Sequence, residues 1–242
     1  MKIKGQVRRF AQKLGYDIIR FDMMSSSLAR RRSLFERFAI NLVFDVGANE
    51  GQFGDHLRKD ILYGGRIVSF EPASKPFSML KTRVAHDSKW RAVNVALGDG
   101  EYQSEINVSS NSQSSSFLNL LPSHAHAAPE SQYVGKEIVA VTTLDKLFGQ
   151  YYRGGDHVFM KIDAQGFEKK ILQGSERVLD RIASVQLEMS LLPLYENGPT
   201  SDEILSYMYQ RGYTLVFLEP IYFTENALEI LQVDAIFHHD VA

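Results

Sequence analysis

Beyond Phe38 the chain alternates short apolar runs with stretches in which apolar residues recur every three or four positions. The runs LVFDVG (42–47), GRIVSFEP (65–72), RAVNVALG (91–98), HVFMKID (157–163), ASVQLEM (183–189), YTLVFLE (213–219) and VDAIFHH (233–239) predict seven main strands. Most are apolar almost throughout, as strands buried on both faces of a parallel sheet are. Helical spacing at 52–62, 74–85 and 166–180 falls between strands, and this alternation predicts right-handed crossovers. The last two runs are joined by PIYFTENALEIL, which lacks helical spacing, so they predict an antiparallel pair at the sheet edge. EYQSEINVSS (101–110) and KEIVAVTTL (136–144) predict extra strands flanking a polar loop, 109–132.

Ahead of this pattern, residues 2–13 hold five basic side chains and no acidic one, and Val7, Phe10, Ala11 and Leu14 share one helical face. This predicts a short basic amphipathic helix, either packed on the domain edge or lying on a membrane surface. Arg30, Arg31 and Arg32 carry the same two readings. The expected organisation is an N-terminal helical extension, 1–40, and one α/β domain, 41–242, with an insertion around 101–142. A length of 242 residues at 44% hydrophobic content suits one such core. Net charge is −2, so no global field draws nucleic acid. The absence of cysteine excludes a disulfide framework, a thiolate nucleophile and cysteine-ligated zinc. No apolar run approaches the roughly 18 residues that span a bilayer, and the first residues lack the apolar centre of a signal peptide. The expectation is a cytoplasmic protein, with peripheral contact to the inner membrane face through the basic helix.

The segment VFDVGANEGQFG (43–54) ends a strand and opens a helix, with Gly47 and Gly51 where backbone must approach a ligand closely. Glu71 closes the next strand 20 residues after Gly51, the spacing at which a carboxylate reaches ribose hydroxyls in nucleotide-binding βαβ units. An adenosine-type cofactor follows. Charge selects among them: a dinucleotide sets its pyrophosphate against the helix N-terminus, where Asp45 and Glu50 would repel it. S-adenosylmethionine (SAM) carries a sulfonium and an ammonium instead. The turn also lacks the third glycine of G-x-G-x-x-G, which disfavours the alternative of an NAD-type oxidoreductase. A bare strand-to-helix turn, with Asp45 capping the helix, is the plainer alternative.

With VFDVGANEGQFG, IVSFEP, VALGD followed by SNSQSSSFL, MKIDAQGFEKKILQG and then LEMSLLPLY, in that order over about 41–196, the sequence resembles the FkbM family of SAM-dependent methyltransferases. The resemblance implies a Rossmann-like class I methyltransferase fold: a seven-stranded, mostly parallel sheet with an antiparallel C-terminal hairpin and helices on both faces. It implies that Asp45, Gly47, Asn49 and Gly51 line the methionine end of SAM, that Glu71 holds the ribose, and that Ala96 and Leu97, ending the third strand, lie near the adenine. Family members commonly carry Glu where this chain has Gln165, which leaves a metal or acid role at 165 without support.

Methyl transfer to oxygen is an in-line displacement in which a base takes the alcohol's proton. Asp163, ending the fourth main strand, is the first candidate, with capping of the following helix as its alternative role. Glu188 ends the next strand, so the two carboxyls either flank one acceptor or share a divalent cation; no metal is predicted. The hydroxyls and amides of Asn111, Ser114, Ser115 and Ser116, with His124 beyond them, suit a neutral polyhydroxylated acceptor. The family includes enzymes acting on sugar and polyketide hydroxyls, so the expected reaction is O-methylation, with a sugar or glycan as acceptor. A catalytically silent SAM-binding module is the remaining alternative.

Overall fold

The computed structural model describes residues 2–121, 131–224 and 228–240. Seven strands form one sheet: β1 (Leu42–Val46), β2 (Arg66–Phe70), β3 (Trp90–Val93), β7 (Val158–Ile162), β8 (Ser184–Ser190), β9 (Thr214–Phe223) and β10 (Ile230–His238), in the order β3-β2-β1-β7-β8-β10-β9. The β1, β2, β3, β7 and β8 pairings are parallel, and β10 runs antiparallel to both β8 and β9. The seven-stranded, mostly parallel sheet with an antiparallel C-terminal pair is the architecture expected from the sequence. A second sheet joins β4 (Ala96–Leu97), β6 (Tyr133–Thr142) and β5 (Tyr102–Ser109) in the order β4-β6-β5.

The helices are α1 (Lys2–Lys13), α2 (Ser27–Arg37), α3 (Gln52–His56), α4 (Ser74–Val84), α5 (Leu144–Tyr151), α6 (Glu168–Gln173) and α7 (Ser201–Gln210). On one face of the large sheet Leu42, Phe44, Met160 and Leu187 pack with Phe148, Leu172, Ile204 and Met208 of α5 to α7. On the other, Val43, Ile67 and Phe159 pack with Leu34, Phe35, Leu57 and Leu80 from α2, α3 and α4. No helix among the described residues is long and apolar enough to cross a membrane.

Three expectations change. The run 91–98 is not one strand, so Ala96 and Leu97 do not end the third strand of the main sheet. Asn94 donates to the carbonyls of Glu71 and Pro72, each at 2.9 Å, and turns the chain from β3 into the small sheet. Helix 52–62 is α-helical only to His56 and widens to a π-turn over Leu57–Ile61. Helix 166–180 contracts to α6 and a 3-10 turn, Leu179–Arg181.

The face beneath α2 carries a buried polar band. Ser69, Asp45, Lys161 and Gln186 are register partners across β2, β1, β7 and β8. Arg31 of α2 closes the band, donating to Gln186 at 2.8 Å and Asp234 at 2.8 Å and pairing with Glu219 at 3.0 Å.

Candidate functional site

At the end of β1 the chain turns through Gly47 (φ +74°), where a Cβ would stand 1.8 Å from the Asp163 carbonyl oxygen. Any side chain there would push the ends of β1 and β7 apart. The Gly47 and Ala48 amides both donate to the Phe70 carbonyl, at 3.1 and 3.0 Å. Asn49 follows at φ +49°, its amide donating at 2.8 Å to Glu71. The other Glu71 oxygen accepts from the Ala73 amide at 2.9 Å. Burial pushes the Glu71 carboxyl up to about 7, against the opposing pull of those two amides.

These groups border a cleft of about 620 Å³ at the carboxyl ends of the parallel strands, where open α/β sheets bind ligands. Gly47, Asn49, Glu71 and Asp163 line one side; Val95, Ala96, Leu97, Ile106, Phe117 and Phe167 line an apolar side. Among the described residues no Lys, Arg or His borders it. The side-chain amide of Asn49 is buried and makes no hydrogen bond to any described residue. An unmatched donor and acceptor at a cleft wall fit a polar ligand, because leaving both buried and unpaired is costly.

Two residues expected on the wall stand behind it. Asp45 is fully buried in the polar band, accepting from the Ser69 hydroxyl at 2.8 Å and lying 3.8 Å from the Lys161 ammonium. Burial raises its pKa, opposed by Lys161 and Ser69. Gly51 begins α3 at φ +90°, and a Cβ there would meet Leu80 at 2.8 Å and Trp90 at 3.1 Å. Its bareness admits the packing of α3 on its neighbours.

Asp163 sits at the cleft with both oxygens engaged, one by Lys161 at 3.1 Å and the other by the Gln165 amide at 2.7 Å. Burial alone would lower the Lys161 pKa, but Asp163 and Asp45 outweigh it and hold the ammonium above its ordinary value. Asp163 does not cap the next helix. The turn's amides at Ala164 and Gly166 donate to Glu168, at 3.1 and 3.0 Å. Burial lifts the Glu168 carboxyl to about 7.

The Gln165 amide nitrogen also donates to Glu188 at 3.1 Å, and its oxygen accepts from the Tyr195 hydroxyl. Glu188 accepts a further bond from Gln232. Burial, then Asp163, Asp234 and Glu168, drive the Glu188 pKa well above the carboxylate range. Gln165 thus links Asp163, on the first cleft, to Glu188 and Tyr195, on a second of about 810 Å³. The second is lined by Glu188, Ser190, Leu191, Leu192, Tyr195 and Thr200 among others, again with no basic side chain among the described residues. Among the described residues no group of three or more His, Asp or Glu is arranged to hold a metal ion.

The serine run divides. Asn111 accepts from the Ser114 amide at 3.0 Å and donates to Ser131 at 3.0 Å, while Ser114 bonds Ser131 at 2.9 Å. Both side chains therefore hold the loop together. Ser115 and Ser116 border the first cleft; Ser115 accepts from the Ser109 amide at 3.0 Å, and Ser116 donates to the Gln165 carbonyl at 2.6 Å. His124 lies outside the described residues. Sequence reasoning did not anticipate Tyr195 or the bridging role of Gln165. The signal for Gln165 was present as the departure from the family's Glu; Tyr195 lies 32 residues beyond Asp163, in a loop with no periodicity to mark it.

Among solved structures, the methyltransferase FkbM from Methylobacillus flagellatus KT superposes with a TM-score of 0.49 at 13% identity, covering 81% of this chain and 43% of that one. The chain thus spans less than half the length of that relative. A precorrin-6y C5,15-methyltransferase from Geobacter metallireducens GS-15 superposes at 0.44, with 13% identity and 88% of each chain covered. Aeropyrum pernix fibrillarin, with natively bound S-adenosyl-L-methionine, superposes at 0.46, with 10% identity and coverage of 82% of this chain and 66% of that one. A comparison with curated protein sequences finds no match. The methyltransferase FkbM domain matches residues 45–215, from the buried Asp45 to Leu215 in β9 and so through both clefts. The chain belongs to the FkbM family of SAM-dependent methyltransferases.

Proposed function

We propose that this chain transfers a methyl group from SAM to a hydroxyl of a neutral acceptor, a sugar or glycan. The observation that carries the reading is the strand-end cleft bordered, among the described residues, by two carboxyls and no basic side chain, with an apolar far side. Such a cleft accommodates a sulfonium, an ammonium and an adenine, and would repel the pyrophosphate of NAD. In this reading Glu71 accepts from the ribose hydroxyls and the unpaired Asn49 amide meets the amino-acid end, beside Gly47. Ala96 and Leu97 border the adenine. Asp45 and Gly51 act from behind, Asp45 by fixing Lys161 and Gly51 by letting α3 approach. When bound, SAM supplies a methyl group already activated on sulfur.

The acceptor is assigned to the second cleft. Its apolar ledge of Leu191 and Leu192 suits the face of a sugar ring, and the hydroxyls and carboxyls of Ser190, Thr200 and Glu188 suit its hydroxyl groups. Asp202, with no basic side chain among the described lining residues to offset it, disfavours an anionic acceptor there. Asp163 receives the hydroxyl proton as the oxygen takes the methyl group. Lys161 holds Asp163 in place, while Glu188 orients the acceptor. Ser115 and Ser116 serve the donor side, and Asn111 and Ser114 act through the loop they brace.

The test is calorimetric titration with SAM, S-adenosylhomocysteine and NADH, followed by turnover on glycosyl acceptors. Asp163→Asn is expected to bind SAM as the wild type does and to lose at least about 100-fold in turnover. Binding of NADH alone overturns the cofactor assignment, and a variant with more than a tenth of wild-type turnover removes Asp163 as the base.

A further inference from the structure

The N-terminal extension presents an apolar surface that nothing in the fold covers. Val7 and Phe10 of α1 and Leu14 just past its end lie on one stripe and are 50%, 66% and 61% exposed. Ala11 is the one buried residue between positions 5 and 13. Past the helix Ile18, Ile19 and Phe21 continue the surface, each at least half exposed. They are held in a built arrangement: Arg8 grips Asp17 through two bonds of 2.7 and 2.8 Å, and the Arg32 guanidinium sits 5.3 Å from the centre of the Phe21 ring. A helix this short gains little from its own hydrogen bonds, so an uncovered apolar stripe leaves its main source of stability unused.

Charge identifies the cover. Residues 1–40 hold ten basic side chains against three acidic, a net +7, whereas the whole chain is −2, leaving −9 on the remainder. Arg9 lies on the side of the helix away from the apolar stripe, and Lys13 flanks the stripe beside Phe10. A stripe of aromatic and aliphatic side chains backed by cations is the chemistry of a helix lying in the headgroup plane of an anionic bilayer. A polyanion such as nucleic acid would satisfy the cations and leave Phe10, Leu14 and Ile19 in water.

We propose that residues 5–24 dock this protein on the surface of an anionic lipid bilayer, with Phe10 and Leu14 inserted at the headgroup boundary and Arg9 and Lys13 held against the lipid phosphates. The surface lies outside both clefts, so its test is independent of methyl transfer. Full-length protein is sedimented with vesicles of phosphatidylcholine alone and of phosphatidylcholine with phosphatidylserine. Binding is expected only to the second, weakening as salt is raised. Phe10→Asp with Leu14→Asp, both at exposed positions, is expected to reduce partitioning at least about tenfold. S-adenosylhomocysteine affinity in that variant is expected to stay at the wild-type value, which reports that the domain is folded. Failure of the wild type to bind anionic vesicles overturns the proposal, as does equal binding by the variant. A wild-type dimer in light scattering that the double substitution dissolves, without vesicle binding, assigns the stripe to a second copy instead.

Discussion

Glu71 joins the polar and apolar halves of the cofactor cleft, and its ionisation couples the empty fold to the ligand. Folding lifts its pKa from 4.5 to about 7 through burial. The folded chain therefore binds this proton more tightly than the unfolded chain does. The associated stability is present below pH 4.5 and is lost as pH rises towards 7, a swing of about 3 kcal/mol at roughly 1.36 kcal/mol per unit. In the proposed complex, ribose hydroxyls would donate to the ionised carboxylate and so pull its pKa back down. Affinity for S-adenosylhomocysteine is thus expected to rise several-fold between pH 6 and 8. In Glu71→Gln it should be about tenfold weaker and flat across that range. Calorimetry at three pH values reads both effects; a variant that keeps the wild-type slope shows that another group titrates.

At the level of elements, α2 is held to the sheet by charge as much as by its apolar side. Leu34 and Phe35 are buried against the core, but Arg31 reaches Gln186 of β8, Glu219 of β9 and Asp234 of β10 together. Removing it leaves Glu219 with only the Ser27 hydroxyl and Asp234 with only the more distant Lys161 ammonium. Arg31→Ala is expected to cost about 3 kcal/mol in urea unfolding, and Arg31→Lys to recover little, since an ammonium cannot span three acceptors. A loss under about 1 kcal/mol in the alanine variant makes the cluster a surface pairing. This helix also marks where the sequence stops being legible. The seven main runs announce their strands because burial on both faces leaves little room for polar residues. The polar band takes a single residue from each strand, at Ser69, Asp45, Lys161 and Gln186, so the pattern survives. Helix α2 has arginine at three successive positions, and its burial depends on partners from β8, β9 and β10, which no local pattern reveals. Helices α5 and α7 are short, beginning at Thr143 and Thr200 caps that read equally as loop residues. The site divides in the same way. Gly47, Asn49, Glu71 and Asp163 stand at strand ends, where the motif predicts them, whereas Asn111, Ser114 and Tyr195 depend on loop folding.

Across the whole molecule, the first cleft is assembled from five separate parts of the chain. The β1–α3 turn gives Gly47 and Asn49, the end of β2 gives Glu71, and the β3–β4 connection gives Val95 to Leu97. The small sheet and its loop give Ile106, Ser115, Ser116 and Phe117, and the end of β7 gives Asp163 and Gln165. The small sheet meets the core mainly through β4, since its own cluster is only Ala96, Ile106, Val139 and Val141 with Phe117 against them. A ligand seated between the two sheets adds contacts that the small sheet otherwise lacks. Ligand at a hundredfold excess over Kd stabilises the fold by about 2.7 kcal/mol, and local opening responds most where intrinsic protection is least. S-adenosylhomocysteine is accordingly expected to raise Tm by several degrees. It should slow amide exchange most at 104–108 and 115–118, less in β1 and β7, whose amides are already deep in the large sheet, and not at all at 5–24. Exchange that slows equally in the N-terminal extension would mean that the extension closes over the cleft. Slowing confined to β1 and β7 would mean that the ligand sits on the large sheet alone, leaving the small sheet to the acceptor.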